Sequence, residues 1–334
     1  MNLLELPKDS LEAWMEEHSE KAYRASQVLN WIWEKNTLAP EKMTDLPASL
    51  RDVLGRSFSP PPNVVKVSSS KDRSHKLLIE LHDGNTVEAV LMKLSDHTTL
   101  CASTQVGCSL TCTFCESGQG GLVRNLAVYE IIAQVALCVP KPRNIVFMGI
   151  GEPLLNYSNL KTAILRLTKE AGLSMRHMTI STVGIPGFIY KLAEELPKIH
   201  LAISLHAPTQ RLRERLMPKA AKAMSLFKLI DEVKLHSHET GSRPTFEYIM
   251  IKDVNDSVDS ANQLSDLLSG IPGLINLIPF HKVTGSPYLP SEPPAIRKFL
   301  STLRSLGHDA TVRRSLGLDT GAACGQLRSL SSEE

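Results

Sequence analysis

From about residue 98 onward, short apolar runs alternate with longer amphipathic stretches, and no other feature restricts the fold of this chain so tightly. The strand candidates are residues 100–105, 144–148, 178–182, 201–205, 246–251 and 275–279. Helical spacing of apolar residues falls between and after them, near 126–139, 158–171, 186–196, 225–238, 257–269 and 294–306. Strands separated by helix-length spacers pair in parallel, so six βα units predict an α/β fold, a partial (β/α)6 TIM-like barrel. Chemistry in such a barrel sits on the loops beyond the C-terminal ends of the strands.

The first of those loops carries Cys108, Cys112 and Cys115 in the run Cys-Ser-Leu-Thr-Cys-Thr-Phe-Cys. A zinc site closed by protein wants a fourth Cys or His, usually from a second paired knuckle, and none follows. Three thiolates on one loop instead suit three irons of a [4Fe–4S] cube, with the fourth iron open to a substrate. Phe114, just before the last cysteine, would shield such a cluster from water. A chance group of reduced, buried thiols is the bland alternative. Cysteine spacing of this kind is the more specific signal.

Upstream of the barrel the texture differs. Residues 1–58 read as a small helical accessory domain, with Asp9 and Glu12 placed for a capping box and Leu29, Ile32 and Trp33 at helical spacing. Ser59-Pro60-Pro61-Pro62 marks a boundary. Residues 59–93 read as a β-hairpin connector, with strands at 76–81 and 86–92 around the turn signal Asp83-Gly84. The core and a C-terminal cysteine loop then fill 94–325, and 326–334 is a tail that frays near its end.

Composition sets outer limits. The chain has 334 residues, 42% of them hydrophobic, enough for one large core or two domains. With 37 basic and 35 acidic residues, the balance neither demands nor excludes a nucleic acid partner, so any basic surface must come from local clustering. Arg211, Arg213, Arg215, Lys219, Arg313 and Arg314 are candidate phosphate contacts; a solvated helix face or salt-bridge partners explain each of them equally well. No apolar run reaches the length of a membrane span. The N-terminus lacks the basic-then-apolar pattern of a signal peptide. Six cysteines, half of them on one loop, suit a reducing compartment, so a cytoplasmic location is expected.

Further residues stand where strands end. The run 145–153 is a strand entering a glycine turn, where Gly151 with Glu152 suits a ligand that carries an ammonium group and a plain turn is an equal alternative. Ser181, and Ser204-Leu205-His206, stand at the ends of the next two strand candidates, with helix caps or plain turns as the alternative. His281 sits just past the strand candidate at 275–279, as either a structural or a functional histidine. Cys324 lies among small residues in Ala322-Ala323-Cys324-Gly325, which suits a thiol that reaches a substrate. Cys101 precedes the cluster loop, and Cys138 reads as a buried hydrophobe. Glu88, flanked by apolar residues, either faces solvent or serves as a base, and spacing does not decide between them.

Together these residues resemble the RlmN/Cfr family of radical S-adenosylmethionine (SAM) RNA adenine methyltransferases. The likeness covers nearly the whole chain, through Tyr23-Arg24-Ala25-Ser26-Gln27, Met43-Thr44-Asp45-Leu46-Pro47, Val87-Glu88-Ala89-Val90, Gln105-Val106-Gly107-Cys108, Gly149-Ile150-Gly151-Glu152-Pro153, Ile203-Ser204-Leu205-His206-Ala207 and Ala323-Cys324-Gly325-Gln326. The resemblance implies that Cys108, Cys112 and Cys115 hold a [4Fe–4S] cluster. It implies that Gly151, Glu152, Ser181, Ser204, Leu205, His206 and His281 line the S-adenosyl-L-methionine site. Cys324 would take a methyl group from one SAM, and a 5′-deoxyadenosyl radical from a second would remove hydrogen from that methyl. The carbon radical would add to an adenine ring carbon, Cys101 would release the product by forming a disulfide with Cys324, and Glu88 would accept the proton.

The implied substrate is carbon 2 of an adenine of 23S rRNA, with tRNA as a second RNA, a reducing electron donor as partner, no membrane, and a monomer as the default. Two alternatives stay open: the same chemistry at carbon 8 or on another substrate, and a non-catalytic iron–sulfur protein that binds RNA or carries electrons. Two positions depart from the family pattern. His281 stands where relatives commonly have Asn, and Glu116 where they usually have a small residue.

Overall fold

In the computed structural model, which describes residues 1–94, 96–283 and 285–328, the chain opens with three helices, α1 (Lys8–Glu17), α2 (Arg24–Trp33) and α3 (Ala48–Ser57). Ala25, Val28, Leu29, Ile32 and Trp33 of α2 are buried, the stripe a helix makes when it lies on a core. The capping box expected from Asp9 and Glu12 does not form. Pro7 stands at the N-cap, so Asp9 already lies within the first turn. The N-terminal segment is fastened to the barrel by Arg166, which donates to the carbonyls of Leu4 (2.6 Å) and Leu6 (2.9 Å) and pairs with Glu170.

Three antiparallel strands follow: β1 (Asn63–Ser69), β2 (His75–Glu80) and β3 (Thr86–Lys93). Gly84, in the turn between β2 and β3, holds φ +78°, where glycine carries no steric cost. β3 pairs antiparallel with β4 (Thr98–Cys101), and β4 begins the parallel part of the sheet. β1 had no readable signal, because both of its faces are largely exposed and no apolar alternation marks it.

The short strands β5 (Gln105–Gly107) and β6 (Leu122–Asn125) pair as a separate ribbon that closes the neck of the cysteine loop. The barrel then runs through α4 (Val128–Ala136), β7 (Asn144–Phe147), α5 (Tyr157–Glu170), β8 (Met178–Thr182), α6 (Phe188–Glu195) and β9 (His200–Ser204). It continues with α7 (Gln210–Leu216), α8 (Pro218–Ala223), α9 (Leu226–Thr240), β10 (Thr245–Met250), α10 (Val258–Leu267), β11 (Leu274–Pro279), α11 (Pro293–Ser305) and β12 (Asp309–Val312).

One ten-stranded sheet results, in the order β1-β2-β3-β4-β7-β8-β9-β10-β11-β12, parallel from β4 to β12. This is a partial barrel, as expected, with one more parallel strand than the six βα units require. β12, four residues with polar Asp309 and Thr311, is too short and mixed to read as a strand. β1 and β12 are the edges of the sheet. The segment after β12 crosses to the β1–β3 side and carries Cys324. The frayed tail expected from residue 329 lies outside the described residues.

Candidate active site

Each strand end delivers one part of the site. Backbone pairing around β5 builds the cysteine loop: Cys108 N–H donates to Gly121 O at 2.8 Å. A Cβ on Gly107, at φ +73°, would come within 2.0 Å of Gly121 O, so this neck admits only glycine. Two braces hold the loop from outside. Thr113 N–H donates to Leu216 O (3.0 Å), and Lys219 Nζ donates to Ser109 O (2.8 Å). Lys219, a candidate phosphate contact, is thereby a support of the cysteine loop.

Cys108, Cys112 and Cys115 line a cavity together with Gly151, Glu152, Ser181, Ser204, His206, Glu247, Arg313 and Cys324. Burial pushes the Cys108 thiol up to about 11 and the Cys112 and Cys115 thiols above their usual range; the other cysteines add to this as negative neighbours. Three sulfurs that burden one another in this way are suited to share a positive centre, which deprotonates its thiol ligands outright. Among the described residues, no three His, Cys, Asp or Glu side chains close on a single ion. Three thiols on the wall of one cavity, the last of them beside Phe114, are a donor set that fits a [4Fe–4S] cluster.

The glycine turn after β7 packs against the protein's own chain. A Cβ on Gly151 (φ +103°) would meet Gln105 Cβ at 2.6 Å, and one on Gly149 would meet Ser103 Oγ at 2.7 Å. Gln105 Oε1 accepts from Glu152 N–H at 2.8 Å. The Glu152 carboxylate accepts from Thr182 Oγ1 (2.6 Å), Leu154 N–H (3.0 Å) and Val183 N–H (3.1 Å). Burial raises its pKa, against these donors and the charge of Arg213. A buried carboxylate at a cavity wall suits the ammonium group of an amino acid.

Ser181 Oγ and Ser204 Oγ lie 3.2 Å apart on neighbouring strand ends. His206 holds φ +57°, a conformation uncommon outside glycine and frequent at functional sites. Its Nδ1 accepts from Ile249 N–H at 3.1 Å, which fixes the neutral ring with its proton on Nε2. Burial, helped by the charge of Arg213, pushes its pKa down to about 3. The ring packs edge-on to Phe114 at 5.0 Å. Leu205 is wholly buried; its N–H donates to Glu247 O and its carbonyl accepts from Arg213.

Arg213 itself does not serve as a phosphate contact. It is fully buried and donates to the carbonyls of Val183 (2.5 Å), Leu205 (2.9 Å) and Ser204 (3.2 Å), stapling the ends of β8 and β9. A fully charged side chain can sit there only because three carbonyls face it.

A second cavity adjoins the first. Its walls include Val90 and Met92 of β3, Cys101 of β4 and His281, and it shares Cys115, Met148, Ile278, Arg313 and Cys324 with the first. Cys101 and Cys324 are both free thiols. Burial pushes Cys101 up to about 12, and the charge of Cys324 adds to this while Arg313 opposes it. Cys324 is in turn the largest influence holding Arg313 protonated. The Arg313 guanidinium also reaches Met148 Sδ (3.5 Å) and Glu247 Oε2 (3.9 Å), and Glu247 Oε2 accepts from Asn276 at 2.8 Å. His281 lines only this second cavity, and its Nε2 meets Ser315 Oγ at 2.6 Å. Glu88 lines neither. It is buried beside them, with Oε1 on Lys76 Nζ (2.9 Å) and Oε2 accepting from Arg328 N–H (3.0 Å). Its carboxylate is therefore turned away from solvent, and it enters neither cavity.

Glu247 and the cavity-facing role of Arg313 had escaped the sequence reading. Glu247 carried a signal, a carboxylate inside the apolar run Phe246-Glu247-Tyr248. Arg313 had none, since the strand it follows was not recognised.

Comparison with known proteins agrees with this geometry. Residues 1–59 match the family of ribosomal RNA large subunit methyltransferase N-terminal domains, and residues 102–261 match the radical SAM superfamily. A protein of Thermosynechococcus vestitus described as "Probable dual-specificity RNA methyltransferase RlmN" is 42% identical over 98% of both chains. A Bacillus subtilis protein of the same description is 41% identical over 96% of this chain and 91% of its own. The crystal structure of a radical SAM methyltransferase from Sphaerobacter thermophilus superposes with a TM-score of 0.94, at 37% identity, over 98% of this chain and 99% of that one. The chain belongs to the RlmN family of radical SAM RNA methyltransferases.

Proposed function

We propose that this chain methylates carbon 2 of an adenine in 23S rRNA, and an adenine of tRNA as well, through a methyl group carried on Cys324. One observation carries the reading. Cys324 is the cysteine outside the cluster motif that lines both cavities, so its sulfur stands between the cluster cysteines and Cys101. When bound, the [4Fe–4S] cluster and S-adenosylmethionine supply the methyl group and the radical chemistry that an electrophilic ring carbon demands.

The chain's own residues do the rest. Cys108, Cys112 and Cys115 would hold the cluster. Glu152, the Ser181–Ser204 pair and the Nε2–H of His206 would orient the amino-acid and ribose ends of the cofactor. Arg313 places a permanent positive charge beside the Cys324 sulfur, where a nucleophilic thiolate must form. Cys101 remains a protonated thiol until the base is joined to Cys324, then closes a disulfide with it and frees the methylated product. Glu88 lies two residues along β3 from Val90, the partner of Cys101, and would accept the proton leaving the base once Arg328 releases its Oε2. Support for the two RNA classes comes from the description of the relatives as dual-specificity enzymes.

The test is nucleoside mass spectrometry. The protein is reconstituted without oxygen and given reductant, methyl-deuterated S-adenosylmethionine, and rRNA and tRNA from cells that lack such an enzyme. Labelled 2-methyladenosine in both RNAs is expected. Labelled 8-methyladenosine would move the chemistry to the other ring carbon. A methyl found on Cys324 and on no base would assign the machinery to a different substrate.

A further inference from the structure

A band of exposed cations leads outward from the second cavity. Arg314 and Leu316 line that cavity and also a neighbouring surface hollow, whose other walls include Arg73 in the β1–β2 turn and Lys93 at the end of β3. Lys93 shares the next hollow with Arg143. Arg143 is fixed there by its backbone N–H, which donates at 3.0 Å to the carbonyl of Thr98, the residue paired with Lys93. Arg73, Lys93, Arg143 and Arg314 are all exposed, and among the described residues none of them is in an ion pair. Two carboxylates share the band. Asp72 accepts from Gly317 N–H (2.7 Å) and Ser74 N–H (3.0 Å), and Asp96 faces His97 Nδ1 at 2.7 Å. Four cations against two carboxylates leave the band positive.

We propose that this band docks the RNA backbone beside the target adenine, while the base itself enters the second cavity. The proposal rests on the RNA-methylation reading above. A ring carbon inside a stacked helix is out of reach, so an enzyme acting on it must take the nucleotide out of the stack. The flanking phosphates then remain outside, at the mouth of the cavity that holds the base. Cations in no ion pair among the described residues, standing at that mouth, neutralise phosphates and release their counterions, which fixes register and supplies affinity without reading sequence. Of the candidates on α7 and α8, Arg213 and Lys219 suit this less well, because Arg213 is buried and Lys219 is tied to the cysteine loop.

The experiment uses the reconstituted full-length protein and the triple variant Arg73→Gln/Lys93→Gln/Arg143→Gln. Arg314 stays in place because it lines the cavity. Affinity for a 23S rRNA fragment and for tRNA is measured across a series of KCl concentrations. Each phosphate contact to single-stranded RNA contributes a slope of about −0.7 in log K against log salt, so losing three should flatten the slope by about 2. KM for RNA should rise about tenfold or more, with kcat at saturating RNA held within about twofold. Arg73→Lys/Arg143→Lys, which keeps the charges, should behave as the parent protein, and each single Gln variant should take about a third of the slope change.

Methyl loading of Cys324 from S-adenosylmethionine alone, read by mass spectrometry, reports whether the catalytic apparatus is assembled. An unchanged slope and KM in a triple variant that still loads Cys324 overturns the proposal, as does an equal slope change in the exposed control Lys228→Gln/Lys234→Gln on α9. If no RNA is methylated by the parent protein, the functional reading fails, and the salt slope still decides whether this band binds RNA.

Discussion

The two cavities that meet at Cys324 are built in opposite ways. The first is framed by the ends of parallel strands and fixed from below by buried polar side chains. Arg213 binds three carbonyls, Glu152 accepts three donors, and Asn255 ties His206 O to Ile249 O. The second is walled on one side by the segment after β12, which is held to β1–β3 by contacts near the surface. Gly317 donates to Asp72, Lys71 N–H donates to Asp319 at 3.2 Å, and Lys76 Nζ reaches Gly321 O at 3.3 Å. A reaction that loads a methyl at one place and delivers it at another needs this difference. The cofactor side must be rigid to orient a radical, whereas the sulfur that carries the methyl must be able to part from its neighbours.

The sharpest way to break this division is to remove one sulfur from each side. Cys112→Ala should abolish iron–sulfur absorbance after reconstitution and every activity with it. Cys324→Ala should keep the full iron and sulfide content and the spectrum of the parent, yet transfer no methyl to RNA. If the Cys324 variant still methylates RNA, the carrier role is wrong. If it loses the cluster, the two sides are not separate in the way described here.

Arg213→Met tests the rigid side alone. Three carbonyls would lose a charged donor inside the core, a change of about 3–5 kcal/mol in unfolding free energy, read from urea denaturation. Asp319→Ala on the other side should cost far less, as an exposed contact does. Equal losses would erase the contrast.

Acid should reach the two sides at different pH. Burial holds His236 near pKa 4 and His206 near 3, and neither ring nitrogen of His236 has a hydrogen-bond partner among the described residues. The unfolded chain binds these protons below about pH 6.5 and the folded one does not, so stability falls as pH drops from 6.5 toward 4, by about 3 kcal/mol for His236 alone. Asp72 also loses its contribution on acidification, but in a lower pH window. Burial would raise its pKa, but hydrogen bonds from Ser74 and from the backbone of Gly317 outweigh it and hold the group near 2. Its contribution is intact above about pH 3.8 and is lost only as pH falls toward 2. Denaturation series at pH 7, 5.5 and 4 should therefore weaken the parent protein, and His236→Phe should show a clearly flatter dependence over the same range.

The same division explains what the sequence disclosed. Parallel strands buried on both faces read as apolar runs, and the cysteine spacing carries its chemistry within eight residues, so the barrel and the cluster loop were legible. Contacts between residues far apart in sequence were not. Arg213 looked like one more cation in a basic stretch, and only the fold shows the three carbonyls it answers. Arg313 looked like half of an exposed Arg-Arg pair, although its neighbour Arg314 is exposed and Arg313 turns inward to Cys324. β1 and β12 were missed because edge strands with polar or exposed faces have no period to detect. Glu88 was ambiguous because alternation gives two faces and does not say which one the C-terminal segment will cover.

The smallest effect is the most informative about the moving side. Asp72→Asn keeps the shape of the β1–β2 turn and removes the charge that accepts from Gly317 N–H. Gly317 holds φ +71°, and a Cβ there would meet Ala322 at 2.6 Å, so this glycine is where the segment bends closely against itself before Cys324. Weakening its anchor should cost about 1 kcal/mol of global stability, the worth of one charge-assisted hydrogen bond near the surface. Local opening should respond more than the global fold, because the lost bond ties this segment to the β1–β2 turn and not the barrel core. Alkylation of Cys324 by iodoacetamide, followed by mass spectrometry, should therefore run severalfold faster in Asp72→Asn, while alkylation of the buried Cys138 stays at the parent rate. Acceleration at both cysteines would mean that the whole fold had loosened. Acceleration at neither would mean that Cys324 is held from the cluster side, through Glu116 N–H on Gly325 O at 2.8 Å, and that the second cavity opens without its segment leaving β1–β3.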